Sequence, residues 1–149
     1  MPTQRIIDSN VGWNKVDRNI DREFVYEVDL ADLANPQARL SIGYANSSEP
    51  SIDACDVQRL VPKTYAEYLN GCYWNYLRIY FPIGAQLVES DELPLTNGSI
   101  AVHVGGFRAG SSSVHQMFDG NGDYISGLMA VEPQSSQEAV FSYRLPKQV

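Results

Sequence analysis

Apolar and polar residues alternate along much of this chain with a period of two, the mark of a β-strand with one buried face. Between Arg22 and Leu30, the residues Phe24, Tyr26, Val28 and Leu30 fall on one side, with Glu27 and Asp29 on the other. Arg39–Asn46 repeats the pattern through Leu40, Ile42 and Tyr44. Asn35 and Pro36 stand between these runs. The residue before a proline is pushed out of the helical region, so the pair predicts a turn and the two runs a hairpin.

A third run, Tyr73–Phe81, places Tyr73, Asn75, Leu77, Ile79 and Phe81 on one face and Trp74, Tyr76, Arg78 and Tyr80 on the other. Pro82 cannot donate to a ladder and Gly84 permits a turn, so the strand ends there. Ala85–Glu89 reads as a short following strand and Asp91–Gly98 as a loop. Ser99–Val104 alternates through Ile100, Val102 and Val104, and Gly105-Gly106 then predicts a bulge or break. Val114–Phe118 and Tyr124–Glu132 flank Asp119-Gly-Asn-Gly-Asp, a strong hairpin signal. Gln137–Leu145 closes the series with Ala139, Phe141, Tyr143 and Leu145 on one side. One helix of barely two turns is predicted near Thr64–Asn70. Thr64 and Glu67 have the capping-box spacing, and Gly71 suits the residue that ends the helix.

About seven or eight short strands with turn signals every ~8–12 residues predict an all-β fold. The expected architecture is an antiparallel β-sandwich, immunoglobulin-like in outline, with one short helix. A barrel satisfies the same strand pattern. The 149 residues match the size of one domain, and 1–149 is read as a single sandwich domain.

Composition narrows the function classes. The net charge is −7, from 18 acidic and 11 basic residues. Such a surface repels phosphate backbones unless basic residues cluster, and here they are scattered, so nucleic acid and anionic membrane are not expected partners. No apolar run approaches the ~20 residues that span a bilayer. The residues Met1–Arg5 carry no stretch of signal-peptide type.

Cys55 and Cys72 flank the predicted helix. They fit a reactive thiol or half a metal site, two unrelated buried thiols, or a disulfide that pins an irregular loop. The disulfide is the expected reading. A persistent disulfide belongs to an oxidising compartment.

The stretch Asn70–Gly84, reading Asn-Gly-Cys-Tyr-Trp-Asn-Tyr-Leu-Arg-Ile-Tyr-Phe-Pro-Ile-Gly, resembles a segment in the C-terminal part of a family of uncharacterised, membrane-anchored bacterial envelope proteins, a domain of unknown function. There too a Cys-Tyr-Trp opens a strand that ends in a Pro-x-Gly turn. Asp8–Lys15, followed by Arg22 and the strand at Tyr26–Leu30, is similar to that family's entry into this region. Phe141–Pro146 is similar to its aromatic-x-Tyr-Arg-Leu-Pro close. The resemblance covers nearly the whole chain, and the order of the three segments is more specific than any one of them. It implies an extracytoplasmic domain of the cell surface, held near the membrane only by an upstream anchor outside this sequence. Members of the family run on past the Tyr-Arg-Leu-Pro segment, so the chain is expected to be a fragment of a larger envelope protein. The resemblance brings no catalytic residues.

Several residues are candidates for binding chemistry. Asp119, Asn121 and Asp123 have the alternating oxygen spacing of a calcium loop. However, Tyr124 stands where the loop glycine belongs and no acid follows at the bidentate position. Asp, Asn and Gly are also what tight hairpins use. Trp74, Tyr76 and Tyr80 form an aromatic row that would stack on the sugars of a cell-wall or capsule glycan if it is exposed. Trp13 stands alone and is read as packing. His103 and His115 fall in strand patterns, and no nucleophile elbow surrounds Ser111–Ser113. Asp91 and Glu92 are read as solvated loop acids. Asn46 and Asn97 head sequons of a kind common by chance. The function expected is therefore a non-catalytic structural or interaction domain with a protein partner, and the alternative is a glycan-binding module. No cofactor is expected, calcium apart.

Overall fold

The computed structural model describes residues 4–12, 14–50, 55, 64–95, 110–112, 114–120 and 122–147. Ten strands are assigned among them: β1 (Arg5–Asn10), β2 (Ile20–Asp29), β3 (Gln37–Asn46), β4 (Tyr73–Tyr80), β5 (Gln86–Ser90), β6 (Leu93–Leu95), β7 (Gly110–Ser112), β8 (His115–Asp119), β9 (Gly122–Val131) and β10 (Ser135–Arg144). Two four-stranded sheets run in the orders β1-β4-β9-β8 and β2-β3-β10-β5, and β6 pairs with β7. Every pairing is antiparallel. The fold is an all-β sandwich, as the alternation predicts.

The core lies between the central strands. Tyr73, Leu77 and Ile79 of β4 and Ile125, Met129 and Val131 of β9 join Leu40, Ile42 and Tyr44 of β3 and Ala139, Phe141 and Tyr143 of β10 in one buried cluster. Each strand contributes alternate residues, so the period-two pattern is what lets the two inner faces interdigitate.

Strand β4 is buried on both sides. Its outward residue Trp74 packs with Cys72, Ala130 and Cys55, and Tyr76 packs against Leu95 and Leu128. The chain after β1 folds down onto Trp74: Val11 donates its amide to the Trp74 carbonyl at 2.8 Å. A Cβ on Gly12 would lie 2.1 Å from the Trp74 ring, so only glycine fits there. Gly127 likewise makes room for Leu93, whose Cδ1 lies 2.5 Å from where a Cβ would stand.

The helix, α1 (Tyr65–Leu69), follows Thr64, which forms the expected capping box with Glu67. Gly71 has a positive φ of 133°. The segment expected as a loop from Asp91 contains β6, and β1 lies in a stretch without clear alternation. The strand expected at Ser99–Val104 lies outside the described residues.

Strand β2 differs from its expected burial. Phe24, Tyr26 and Val28 are 43%, 39% and 42% exposed. The reason is position. β2 is the outermost strand of its sheet, bonded to β3 alone among the described residues. Its apolar residues still lean inward, with the Phe24 ring edge-on to Tyr44 and the Tyr26 ring stacked on Tyr143, both at 6.2 Å.

Asn46, at the end of β3, is 2% exposed and ties three chain segments together. Its amide donates to the carbonyls of Gly71 at 2.8 Å and Val131 at 3.0 Å, and its Oδ1 accepts from the Ser48 amide at 3.0 Å. A glycan cannot be carried at that position in the fold. Replacing Asn46 by Ala removes these three bonds at a buried site. We expect a loss of about 2–4 kcal/mol, read as a lower denaturation midpoint at unchanged slope.

Candidate functional site

Cys55 and Cys72 form a disulfide with a Cα–Cα distance of 4.9 Å. The bridge lies on the outer side of the first sheet, where it covers Trp74. The expected aromatic row is on that side but is not an open platform. Trp74 is 2% and Tyr80 8% exposed. Tyr76 is partly buried and has the Arg78 guanidinium over its ring at 5.4 Å. Trp13 lies outside the described residues.

At the β8–β9 turn, the Tyr80 hydroxyl donates to the Asp119 carboxylate at 2.7 Å. The Asp123 carbonyl accepts from the Phe81 amide at 3.1 Å. Asn121 lies outside the described residues. Among the described residues, no three His, Cys, Asp or Glu side chains come together to hold a metal ion. His115 is exposed on the edge strand β8, while His103 and Ser113 fall outside the described residues. The Asp91 carboxylate accepts from the Val140 amide at 2.9 Å, so it has a structural contact beyond solvent.

Among the described residues, the densest gathering of polar side chains is one that residue-by-residue reading misses. Asp8 on β1 stands opposite Leu77 of β4 and therefore faces inward. Arg22 on β2 stands opposite Tyr44 of β3 and faces inward too. The Tyr44 hydroxyl and the Asn75 amide, the latter at 2.9 Å, donate to one Asp8 oxygen. The Arg22 guanidinium donates to the other at 3.1 Å. Arg22 also reaches the Tyr73 hydroxyl at 3.0 Å and Asp17 at 3.4 Å. Asn75 accepts from the Ser9 amide at 3.1 Å. This cluster spans both sheets. The usable signal was a charged residue on the apolar side of an alternation, at Arg22 before Phe24, whereas Asp8 follows Ile6 and Ile7 with no alternation to mark it.

Electrostatics in the cluster follow from burial. Burial works against the Arg22 charge, but the contacts with Tyr73 and Asp8 outweigh it and raise its pKa. Burial, then the Asp8 carboxylate, raises the pKa of Tyr44. Tyr73 is pushed up to about 12, by burial first and Asp8 second, with Arg22 pulling partly back. The groups thus answer one another's charge, an arrangement suited to fixing the two sheets together.

The second sheet presents a different surface. Its outer side holds an open groove of about 500 Å³ lined by Asp21, Glu23, Ser41, Gly43 and Glu138, among others. Glu23 and Glu138 both stand opposite Gly43, one on each side, so two carboxylates flank a floor without a side chain. Along the adjoining edge, β2 is exposed at every position from Asp21 to Asp29.

No protein-family model matches the chain, and no curated protein or solved structure matches it.

Two outcomes follow from the buried phenols and the bridge. The fold excludes the phenolates of Tyr44 and Tyr73, whereas an unfolded tyrosine ionises near 10.0. The unfolded chain therefore loses these protons first as pH rises. Stability is expected to be full below pH about 10 and to fall steeply as pH climbs toward 12, read as the urea midpoint across that range. Replacing both cysteines by serine frees the loop they close. The unfolding free energy should drop by about 3 kcal/mol, and in the native protein neither thiol should alkylate before reductant is added.

Proposed function

We propose that this chain is a non-catalytic interaction domain displayed outside the cytoplasm, in the bacterial cell envelope. The observation that carries the reading is β2: a ten-residue edge strand, exposed along nine positions, with Phe24, Val25, Tyr26 and Val28 all partly open to solvent. Isolated exposed apolar residues are ordinary, but a contiguous set on an open strand edge marks a place where another chain binds. The disulfide supports a non-reducing setting. Among the described residues, no helix is long and apolar enough to cross a membrane. The likeness of Asn70–Gly84 to a segment of envelope proteins supports the compartment. The polar cluster at Asp8 supports a structural use of its charged groups, since they engage one another. The glycan alternative gains no support from Trp74 and Tyr80, whose rings are covered.

A photo-crosslinking residue at Val25, in the cells that make the protein, is expected to give a discrete adduct with another envelope protein. The same residue at Ile83, which is exposed on the turn after β4, should give none. No adduct from Val25, or adducts with cytoplasmic proteins alone, would contradict the reading.

A further inference from the structure

We infer that β2 receives an extended segment of another protein as an added antiparallel strand, and that the segment alternates basic with apolar residues. This deepens the interaction reading above and rests on it. The four outer strands of the two sheets are not equivalent. β1, β5 and β8 have six, five and five residues, and the β5 pairing with β10 contains a register shift. Short length and bulges are how sheets protect their edges. β2 has ten residues and pairs with β3 without a break from Ile20 to Asp29. It contains no proline and no bulge. Among the described residues its other edge has no strand partner.

The side chains of β2 fix the chemistry of the partner. Its inward side presents Phe24, Tyr26 and Val28, each roughly two-fifths exposed. Its outward side presents Asp21, Glu23, Glu27 and Asp29, all exposed. On β3 the residues opposite Asp21 and Glu23 are Ala45 and Gly43, which supply no positive charge. Arg39 stands opposite Glu27 and Gln37 opposite Asp29. A strand laid along the free edge would cover the aromatic and aliphatic side chains with its own apolar residues. Its alternate positions would stand beside the acids, where opposite charges stabilise and like charges destabilise a cross-strand pair. A lysine or arginine at those positions answers the field of Asp21 and Glu23.

The same arithmetic excludes a second copy of this chain. In a two-fold antiparallel pair of β2 strands, directly opposed residues share a face, so their numbers sum to an even value. Pairing about Val25 sets Asp21 against Asp29 and Glu23 against Glu27. Pairing about Phe24 sets Asp21 against Glu27, and about Tyr26, Glu23 against Asp29. Every overlap centred from Asp21 to Asp29 places at least one acid opposite another. The acids therefore block self-pairing and select a basic strand in one device.

The test uses the full chain and a synthetic peptide of alternating lysine and valine as long as β2, with its glutamate–valine counterpart as control. The lysine peptide should bind and should slow hydrogen exchange at alternate amides of β2, leaving β5 and β8 unchanged. The glutamate peptide should not bind. E23K/E27K, at two exposed positions, should weaken the lysine peptide by about tenfold and admit the glutamate peptide. If that variant loses cooperative unfolding, E23Q/E27Q serves, with a smaller loss for the lysine peptide. Failure of the lysine peptide to bind, protection at β5 or β8 instead of β2, affinity unchanged in both variants, or self-association of the free chain through β2 would each overturn the proposal. A native partner that crosslinks to the chain but protects another face overturns the β2 assignment and leaves the interaction reading standing. Peptide docking on β2 with no native adduct from Val25 upholds the edge assignment and removes the interaction reading.

Discussion

A single carboxylate turned toward the interior organises one side of the sandwich. Asp8 belongs to the outermost strand of the first sheet, and its partners Arg22 and Tyr44 belong to the second. A partly buried charge is tolerated when its neighbours supply hydrogen bonds and opposite charge. Asp8 has a guanidinium, a phenol and an amide within reach. This contact sets β1 against β2. It also ties the inward side of β2 to the first sheet at Arg22. Beyond Arg22 the strand leaves the cover of the core, and Phe24, Tyr26 and Val28 are left half-exposed. The exposed edge and the internal polar clasp are thus two consequences of how the outer strands meet.

Neutral amides hold the strand ends beside this cluster. Asn46 links β3 to the turn before β4 and to the end of β9. Asn14 donates to the Cys72 carbonyl at 2.9 Å, and Asn19 to that of Leu69 at 2.7 Å. Gln134, held at a positive φ of 57°, donates to the Ser47 and Ser48 carbonyls as the chain crosses from β9 to β10. These side chains replace ladder bonds where the strands end. They hold the strand ends where the chain passes directly from β9 of one sheet to β10 of the other.

Much of this was legible in the sequence, and the rest was illegible for definite reasons. The alternations at Leu40-x-Ile42-x-Tyr44 and Ala139-x-Phe141-x-Tyr143 belong to central strands, whose own pattern reports their burial. The alternation at Phe24-x-Tyr26-x-Val28 has the same form, yet lies on an edge, because a strand's place in its sheet is set by its neighbours. Trp74 and Tyr80 read as an outward row, which is correct for the strand. What covers Trp74, the Cys55–Cys72 bridge and the packing around Gly12, and what meets Tyr80, the Tyr124 ring and the Arg5 guanidinium, come from distant segments. Arg22 was visible only as a polar break in an apolar pattern, and Asp8 stood in no pattern at all. Their pairing required the register of two sheets. The capping box at Thr64 was fully local, and it was read in full.

Partner binding at β2 requires that this strand be an open edge in the isolated protein. Amide hydrogen exchange of the free chain, residue by residue, tests this directly. Every second amide from Arg22 to Val28 should exchange nearly as fast as in an unfolded chain, while the amides between them and those of β3, β4, β9 and β10 stay protected. Protection along β2 as uniform as that of β3 would show the edge already covered and would contradict the account.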